Sequence, residues 1–228
     1  MNRLIVTRAD SVIQKMIDLT HPLLKKYATK CGAEFLVLNQ NTRLHNHWRI
    51  LKCKELLKEF DRILMIDTDV LITKTCPIIF DVVPYDKIGT IFEDKGSRLE
   101  PRRKVMREVQ RRYGDVGWRE GYMNSGVCVI SKIHEKIFEP IKETYWQGWG
   151  LDDVHFRYNS VKYGYKIYEL PFQYNHMSMF SEPWNNSAPR FASHIIHYAG
   201  YGAFPDKGSL SRLELMKKDY NEHKEMFL

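Results

Sequence analysis

Residues 63–69 read Ile63-Leu64-Met65-Ile66-Asp67-Thr68-Asp69, an apolar run closed by two carboxylates. Consecutive apolar residues without alternation fit a strand buried on both faces, the kind found in parallel sheets covered by helices. Residues i and i+2 of a strand point to the same face, so Asp67 and Asp69 share a side. Carboxylates that close repel each other unless a cation lies between or beside them. In open α/β sheets ligands bind beyond the carboxyl ends of the strands, which is where this pair stands. A hard divalent cation with oxygen ligands fits, and an ion of the Mg2+ kind usually shares its shell with a substrate's phosphates. The plainer alternative is a turn in which the Asp side chains cap backbone amides.

The flanking sequence alternates strands with helices. Leu4-Ile5-Val6 reads as a strand feeding the loop Thr7-Arg8-Ala9-Asp10, and Phe35-Leu36-Val37-Leu38 as a second strand. Apolar spacing predicts helices over 22–30, stopped by Gly32, and from Trp48 to about residue 59. Further strands are expected at 88–92, 127–130, 166–170 and 195–198. Further helices are expected at 133–145 and 152–163, with a polar amphipathic C-terminal helix over 209–228. This order predicts an α/β fold with a mostly parallel sheet. With no repeat, low-complexity tract or linker, one domain over 1–228 is the simplest organisation. Residues 98–119 stand apart through Arg98, Arg102, Arg103, Lys104, Arg107, Arg111, Arg112 and Arg119. They read either as a solvated helix face or as a lid or acceptor-binding insertion that favours anionic groups.

The 228 residues are enough for a sizeable core. A formal net charge of +7 suits nucleic acid, an anionic membrane surface or a phosphate-rich substrate, without choosing among them. None of Cys31, Cys53, Cys76 and Cys128 forms a CxxC pair, so buried thiols of a reducing compartment are expected rather than a disulfide framework. The first residues are no signal peptide, and no stretch has the roughly 20 apolar residues of a membrane span. A soluble cytoplasmic protein is the expectation, with the basic tail allowing peripheral contact with a membrane.

His197 closes the apolar pair Ile195-Ile196 at the expected end of a strand. Alone it reads as an ordinary core or surface histidine. Joined to the two aspartates it would complete a shell of two carboxylates and an imidazole, which shifts preference from Mg2+ toward Mn2+ or another transition metal.

Taken in order, these segments resemble the GT-A glycosyltransferases, within them the family 8 type that includes glycogenin and bacterial lipooligosaccharide galactosyltransferases. Val6-Thr7-Arg8-Ala9-Asp10 resembles the first-strand loop that holds the nucleotide base, with Asp10 at a base or ribose contact. Arg43 and Lys52 stand where the family's donor-binding Arg and Lys stand, and Asp67-Thr68-Asp69 is similar to its DxD. Asn124-Ser125-Gly126-Val127 resembles the NSG-V strand whose Asn contacts the donor sugar. Asp152-Asp153 with Asn159 resembles its DQ…N helix start, Leu170-Pro171-Phe172-Gln173-Tyr174-Asn175 its LPFxYN segment, and His197-Tyr198-Ala199-Gly200 its HFxG, whose His is a metal ligand.

The resemblance implies a Rossmann-like single domain with a small antiparallel element near the active site. It also implies Mn2+ (or Mg2+) held by Asp67, Asp69 and His197 against the diphosphate of a UDP-sugar. Arg8, Arg43 and Lys52 would supply charge-assisted hydrogen bonds to the nucleotide, and Asn124, Asp152 and Asp153 would serve the reacting sugar. The implied reaction is transfer of glucose or galactose, with retention, to a glycan, lipid-linked or protein acceptor.

Three departures stand out. The family's Gln is Asp153 here, Val12 replaces the aromatic that stacks on the base in glycogenin, and the Lys that clamps the diphosphate is missing before Lys207. Lys207 or another cation would have to take that place. Tyr145, Trp146, Trp149, His176, Met177, Met179, Phe180, Trp184 and Asn185 read equally as an acceptor groove or as packing.

Three rivals remain from the residues alone. A sugar nucleotidyltransferase would carry a Gly-rich loop after the first strand, and Thr7-Arg8-Ala9-Asp10-Ser11 has no glycine. A metal-dependent nuclease would bind nucleic acid with steep salt dependence, but no nucleic-acid-binding motif is present and nucleic acid is not an expected partner. A noncatalytic sugar-binding module would have little need of a metal beside a diphosphate.

Overall fold

The computed structural model describes residues 1–40 and 43–227. Its strands are β1 (Arg3–Arg8), β2 (Glu34–Leu38), β3 (Arg62–Ile66), β4 (Val70–Ile72), β5 (Lys87–Thr90), β6 (Val127–Ser131), β7 (Lys166–Glu169) and β8 (Ile195–His197). Its helices are α1 (Gln14–Lys30), α2 (Cys53–Leu56), α3 (Ile79–Val82), α4 (Leu99–Tyr113), α5 (Leu151–Lys162), α6 (Arg212–Glu222) and α7 (Lys224–Phe227).

Six strands form one sheet in the order β2-β1-β3-β6-β5-β7. All run the same way except β6, which is antiparallel to both neighbours. The α/β reading therefore holds. The period of two along each strand divides the core. Ile5, Leu64, Ile66, Val127 and Val129 face one layer with Leu24, Tyr27 and Ala28 of α1. Leu4, Val6, Ile63, Met65, Cys128 and Ile130 face the other, with Trp48, Phe138 and Phe156 of α5. Burying each such side chain contributes about 1.5–3 kcal/mol before the entropy cost of ordering it. All four cysteines are free and buried.

The antiparallel pair β4–β8 makes a second, two-stranded sheet. Leu71 and Ile196 pack there with Met16 and Leu23 of α1 and Leu215 and Met216 of α6. This layer explains why α1 begins at Gln14 rather than near residue 22. An internal proline costs about 3 kcal/mol, yet Pro22 lies within the helix because the buried Met16, Thr20, Leu23 and Leu24 straddle it.

Three other expectations needed correction. The helix expected from Trp48 to residue 59 is a 3-10 segment (Asn46–Lys52) followed by the single turn of α2. The helix expected over 133–145 is a 3-10 turn (Lys132–Phe138). Pro140 cannot continue it, and Lys142 and Glu143 adopt positive φ in a tight turn closed by the Ile141–Thr144 bridge. The C-terminal helix is broken at His223 into α6 and α7. Within 98–119, α4 packs through Val105, Met106 and Val109 on Val154 and Tyr158 of α5. No helix of the described residues is long and apolar enough to cross a membrane.

Candidate active site

A cleft of about 790 Å³ opens at the carboxyl ends of β1 and β3, bounded by the N-terminus of α5, the end of β8 and the first residue of α6. Asp67, Thr68 and Asp69 form its floor. Asp67 N–H donates to Gly126 O at 2.8 Å, and Tyr198 N–H donates to Asp69 O at 2.9 Å. Thr68 Oγ1 donates to Arg8 O at 2.8 Å, so in its contact with Thr7 Oγ1 at 3.0 Å it is Thr7 that donates. The residue between the two aspartates thus ties their loop to β1.

Val70 pairs with His197 across β4 and β8, which brings the imidazole beside Asp69. His197 Nε2 lies 3.3 Å from Asp69 Oδ1 and 3.8 Å from Asp67 Oδ2. One ligand atom from each residue lies within 4.8 Å of the others. A hydrogen-bond chain fixes the ring. Gly126 N–H can only donate, so Asn124 turns Oδ1 to it at 3.0 Å and gives Nδ2–H to Glu93 Oε1 at 2.6 Å. Asn175 must then donate from Nδ2 to Asn124 Oδ1 at 2.8 Å and accept from His197 Nδ1 at 2.8 Å. The chain thus fixes the ring proton on Nδ1, and with Nε2 unprotonated its lone pair faces two carboxylates. Such a convergence of acceptors fits a divalent cation.

Burial pushes the Asp69 pKa up, but His197 and Arg212 outweigh it and hold the carboxyl well below the ordinary range. Burial lowers the His197 pKa, and Asp69 and Asp67 more than restore it. Gly126 is required by crowding. A Cβ there would lie 2.4 Å from His197 Cε1 and 2.8 Å from Asp67 Oδ2.

Arg8 bridges the cleft, donating to Asp67 Oδ1 at 2.5 Å and Asp152 Oδ2 at 2.6 Å. His47 Nδ1 meets Asp152 Oδ1 at 2.9 Å, a bond that raises the His47 pKa. Burial would raise the pKa of Asp152, but the Arg8 charge and the His47 hydrogen bond hold it well below the usual carboxylate range. Asp153 reaches Ser125, from whose N–H it accepts at 2.6 Å. Glu93 is buried and paired with Arg102, with Arg98 at 3.3 Å. Arg102 in turn lies 4.0 Å from the ring centroid of Trp149, a half-exposed indole on the cleft wall.

Of the residues singled out from sequence, Arg8, Asp10, Asp67, Thr68, Asp69, Asn124, Ser125, Asp152, Asp153, His197 and Gly200 line this cleft. Val6 does not: its side chain is in the core. Thr7 stands behind the wall as a support for Thr68. Arg43 is exposed and outside the lining, and Lys52 pairs with Glu55 on the surface. Arg49 takes the inner place instead, with Nη2 2.8 Å from Asp10 Oδ2. Asn159 lies away from the cleft, donating to Ile137 O and Glu139 O to anchor α5. Lys207 is not in the lining. Besides Arg8, the cation beside the DxD is Arg212, whose Nη1 lies 2.6 Å from Asp69 Oδ2. Among the aromatic stretches, Trp149 lines this cleft, Phe180, Trp184 and Asn185 line a separate cavity of about 330 Å³, and Trp146, Met177 and Met179 are core.

His47, Arg49, Glu93 and Arg212 were not foreseen, whereas Arg98 and Arg102, named within the basic stretch 98–119, do line the cleft. Glu93 carried a readable signal: it follows the apolar stretch Ile88 to Phe92 much as Asp67 follows β3. Arg212 carried none, being 143 residues from its partner.

No protein-family model matches the chain, and no curated protein matches it in sequence. Solved structures do match. The galactosyltransferase LgtC, in complex with donor and acceptor sugar analogs, superposes with a TM-score of 0.56 at 16% identity, over 96% of this chain and 95% of that one. The glycosyltransferase GlyE of Streptococcus pneumoniae gives 0.60 at 12% identity, over 100% of this chain and 65% of its own. A Drosophila β1,4-galactosyltransferase 7 variant bound to manganese, UDP-Gal and xylobiose gives 0.50 at 14% identity, over 74% and 65%. The fold is GT-A. The small β4–β8 sheet beside the cleft is the antiparallel element that the resemblance implied.

Proposed function

We propose that this chain is a metal-dependent glycosyltransferase that moves a hexose, glucose or galactose, from a UDP-sugar to a glycan, lipid-linked or protein acceptor. One observation carries the reading: at the ligand edge of a GT-A sheet, Asp67, Asp69 and a tautomer-fixed His197 converge as acceptors, with arginines on either side. A bound Mn2+ or Mg2+ would act there as a Lewis acid on the departing diphosphate. Imidazole in the shell favours Mn2+, and manganese and UDP-Gal are present together in the Drosophila structure.

The chain's own residues divide the remaining work. Arg212 and Arg8 sit on the floor carboxylates and are placed to meet phosphate oxygens when these displace them. Asp10, clamped by Arg49, faces the base or ribose. Asn124 and Asp152 offer hydrogen bonds to the hydroxyls of the donor sugar. Trp149, backed by Arg102, offers a flat apolar face for an acceptor ring. Retention is the stereochemistry that the family 8 resemblance implies.

The test is a panel of nucleotide sugars incubated with Mn2+ or with EDTA, following release of the nucleoside diphosphate. Release from one donor, abolished by EDTA and by Asp69→Ala, is the expected result. Absence of both turnover and metal-dependent donor binding by calorimetry would sink the reading.

A further inference from the structure

Six acidic side chains line the cleft, and an arginine reaches all but one of them. Asp10 has Arg49, Asp67 and Asp152 have Arg8, Asp69 has Arg212, and Glu93 has Arg102 and Arg98. Asp153 has no cationic partner among the described residues. Its neighbours are instead two negative groups, Asp152 and Glu93, and a buried phenol, Tyr122.

The local hydrogen bonds impose a count. Ser125 Oγ lies 2.8 Å from Asp152 Oδ2 and 2.7 Å from Asp153 Oδ1. A hydroxyl carries one proton, whereas ionised carboxylates only accept. Ser125 cannot give a full hydrogen bond to both, and both close contacts are satisfied when one carboxyl carries a proton. Asp152 is held ionised by Arg8 and His47. The proton therefore belongs to Asp153. Its Oδ1 is taken up by the Ser125 N–H and hydroxyl, while Oδ2 has no protein partner among the described residues on a side chain that lines the cleft.

We propose that Asp153 carries a proton at neutral pH, shared with Ser125, so that its free oxygen meets the bound sugar as an uncharged hydrogen-bonding group rather than as a carboxylate. The first half concerns the protein alone, and the second rests on the glycosyltransferase reading. The surroundings agree. Burial pushes the Asp153 carboxyl up to about 8, helped by the charges of Asp152 and Glu93 and opposed by the hydrogen bond from the Ser125 N–H. The charged and titratable groups that act on it are Asp152 on its own helix, Glu93, Tyr122 and the buried thiol of Cys128, and the nearest arginines of the cleft wall and of α5, Arg102 and Arg157, are engaged elsewhere. Arg102 is committed to Glu93, and Arg157 donates to Gly121 O. A neutral Asp153 also spares a doubly charged diphosphate one more repelling charge.

Carboxyl 13C NMR on the metal-free protein tests the proton directly. One aspartate resonance is expected to titrate near pH 8, to vanish in Asp153→Asn, and to move to lower pH in Asp152→Asn, which removes the neighbouring charge. If every aspartate titrates in the ordinary range, below about pH 5, the proposal is overturned. The contact with the sugar is tested by the pH dependence of turnover at saturating metal. The unaltered protein should lose activity, or raise KM for the donor, as pH rises through 8, and the isosteric Asp153→Asn should not. Identical profiles would overturn this half. The NMR titration needs no donor, so an inactive protein would count against the function and leave the proton as measured.

Discussion

Replacing Arg212 with methionine separates the roles of the cations on the cleft floor. In the resting protein Arg212 Nη1 donates to Asp69 Oδ2 at 2.6 Å, with the Arg212 side chain 33% exposed and that of Asp69 12% exposed. Hydrogen bonds to charged groups are worth about 1.5–3 kcal/mol. A guanidinium one-third open to water is screened and belongs near or below the lower end, at about 1–1.5 kcal/mol. A divalent ion arriving at Asp69 must displace this contact or tolerate a positive charge beside it. Removing Arg212 should therefore tighten Mn2+ binding to the nucleotide-free protein by roughly tenfold, since about 1.4 kcal/mol corresponds to a factor of ten. Binding of UDP in the presence of Mn2+ should change the other way, weakening by a similar factor, because the phosphate loses a cation. Electron paramagnetic resonance of free Mn2+ measures the first quantity and calorimetry the second. Mn2+ affinity that is unchanged or weaker in Arg212→Met would refute the competition on which the estimate rests.

Other perturbations probe neighbouring parts. Gly126→Ala places a methyl group against His197 and Asp67 and is expected to lower Mn2+ affinity by tenfold or more while far-UV circular dichroism stays unchanged. Arg8→Met leaves the buried Asp152 without its guanidinium and should cost about 3 kcal/mol at pH 7 in urea unfolding, the lower end for a broken buried pair because Asp67 is partly wet. Its pH signature follows from the depressed Asp152 pKa. The stabilisation is complete above the unfolded-state value of about 3.9 and is lost as pH falls below it, so Arg8→Met should flatten that acid limb. Trp149→Ala should raise KM for a saccharide acceptor severalfold and leave donor hydrolysis without acceptor unchanged. Equal loss of both activities would remove Trp149 from the acceptor side.

How far the site was legible in the sequence depended on distance along the chain. Residues 63–69 announced strand and carboxylates together because burial on both faces of β3 leaves an unbroken apolar run. His197 could be suspected but not placed. Its approach to Asp69 is made by β4 and β8, and strands of three residues are too short for periodicity to show. Lys52 and Arg49 were exchanged for a similar reason. Sequence spacing could not show that the guanidinium of Arg49 reaches Asp10, 39 residues away, while Lys52 pairs with a carboxylate three residues on. Pro22 and the segment 133–145 failed in opposite directions. The first was overridden by burial on both sides of it, and the second was undone by Pro140 despite a favourable pattern.

The cleft floor draws its countercharges from distant parts of the sequence, Arg8 before the carboxylates and Arg212 long after them. Asp69 precedes Arg212 by 143 residues, so at about 5–20 residues per second of synthesis the carboxylate leaves the ribosome roughly 7–30 seconds before its partner. Through that interval the nascent sheet carries a floor with only one of its two arginines. The second arrives on α6, which docks when Asp219 is gripped by Arg190 and Tyr198. A ribosome-bound chain arrested before α6 emerges should therefore bind divalent ions more readily than the folded protein with α6 docked, and the arrival of α6 would be the event that turns an open ion trap into a guarded one.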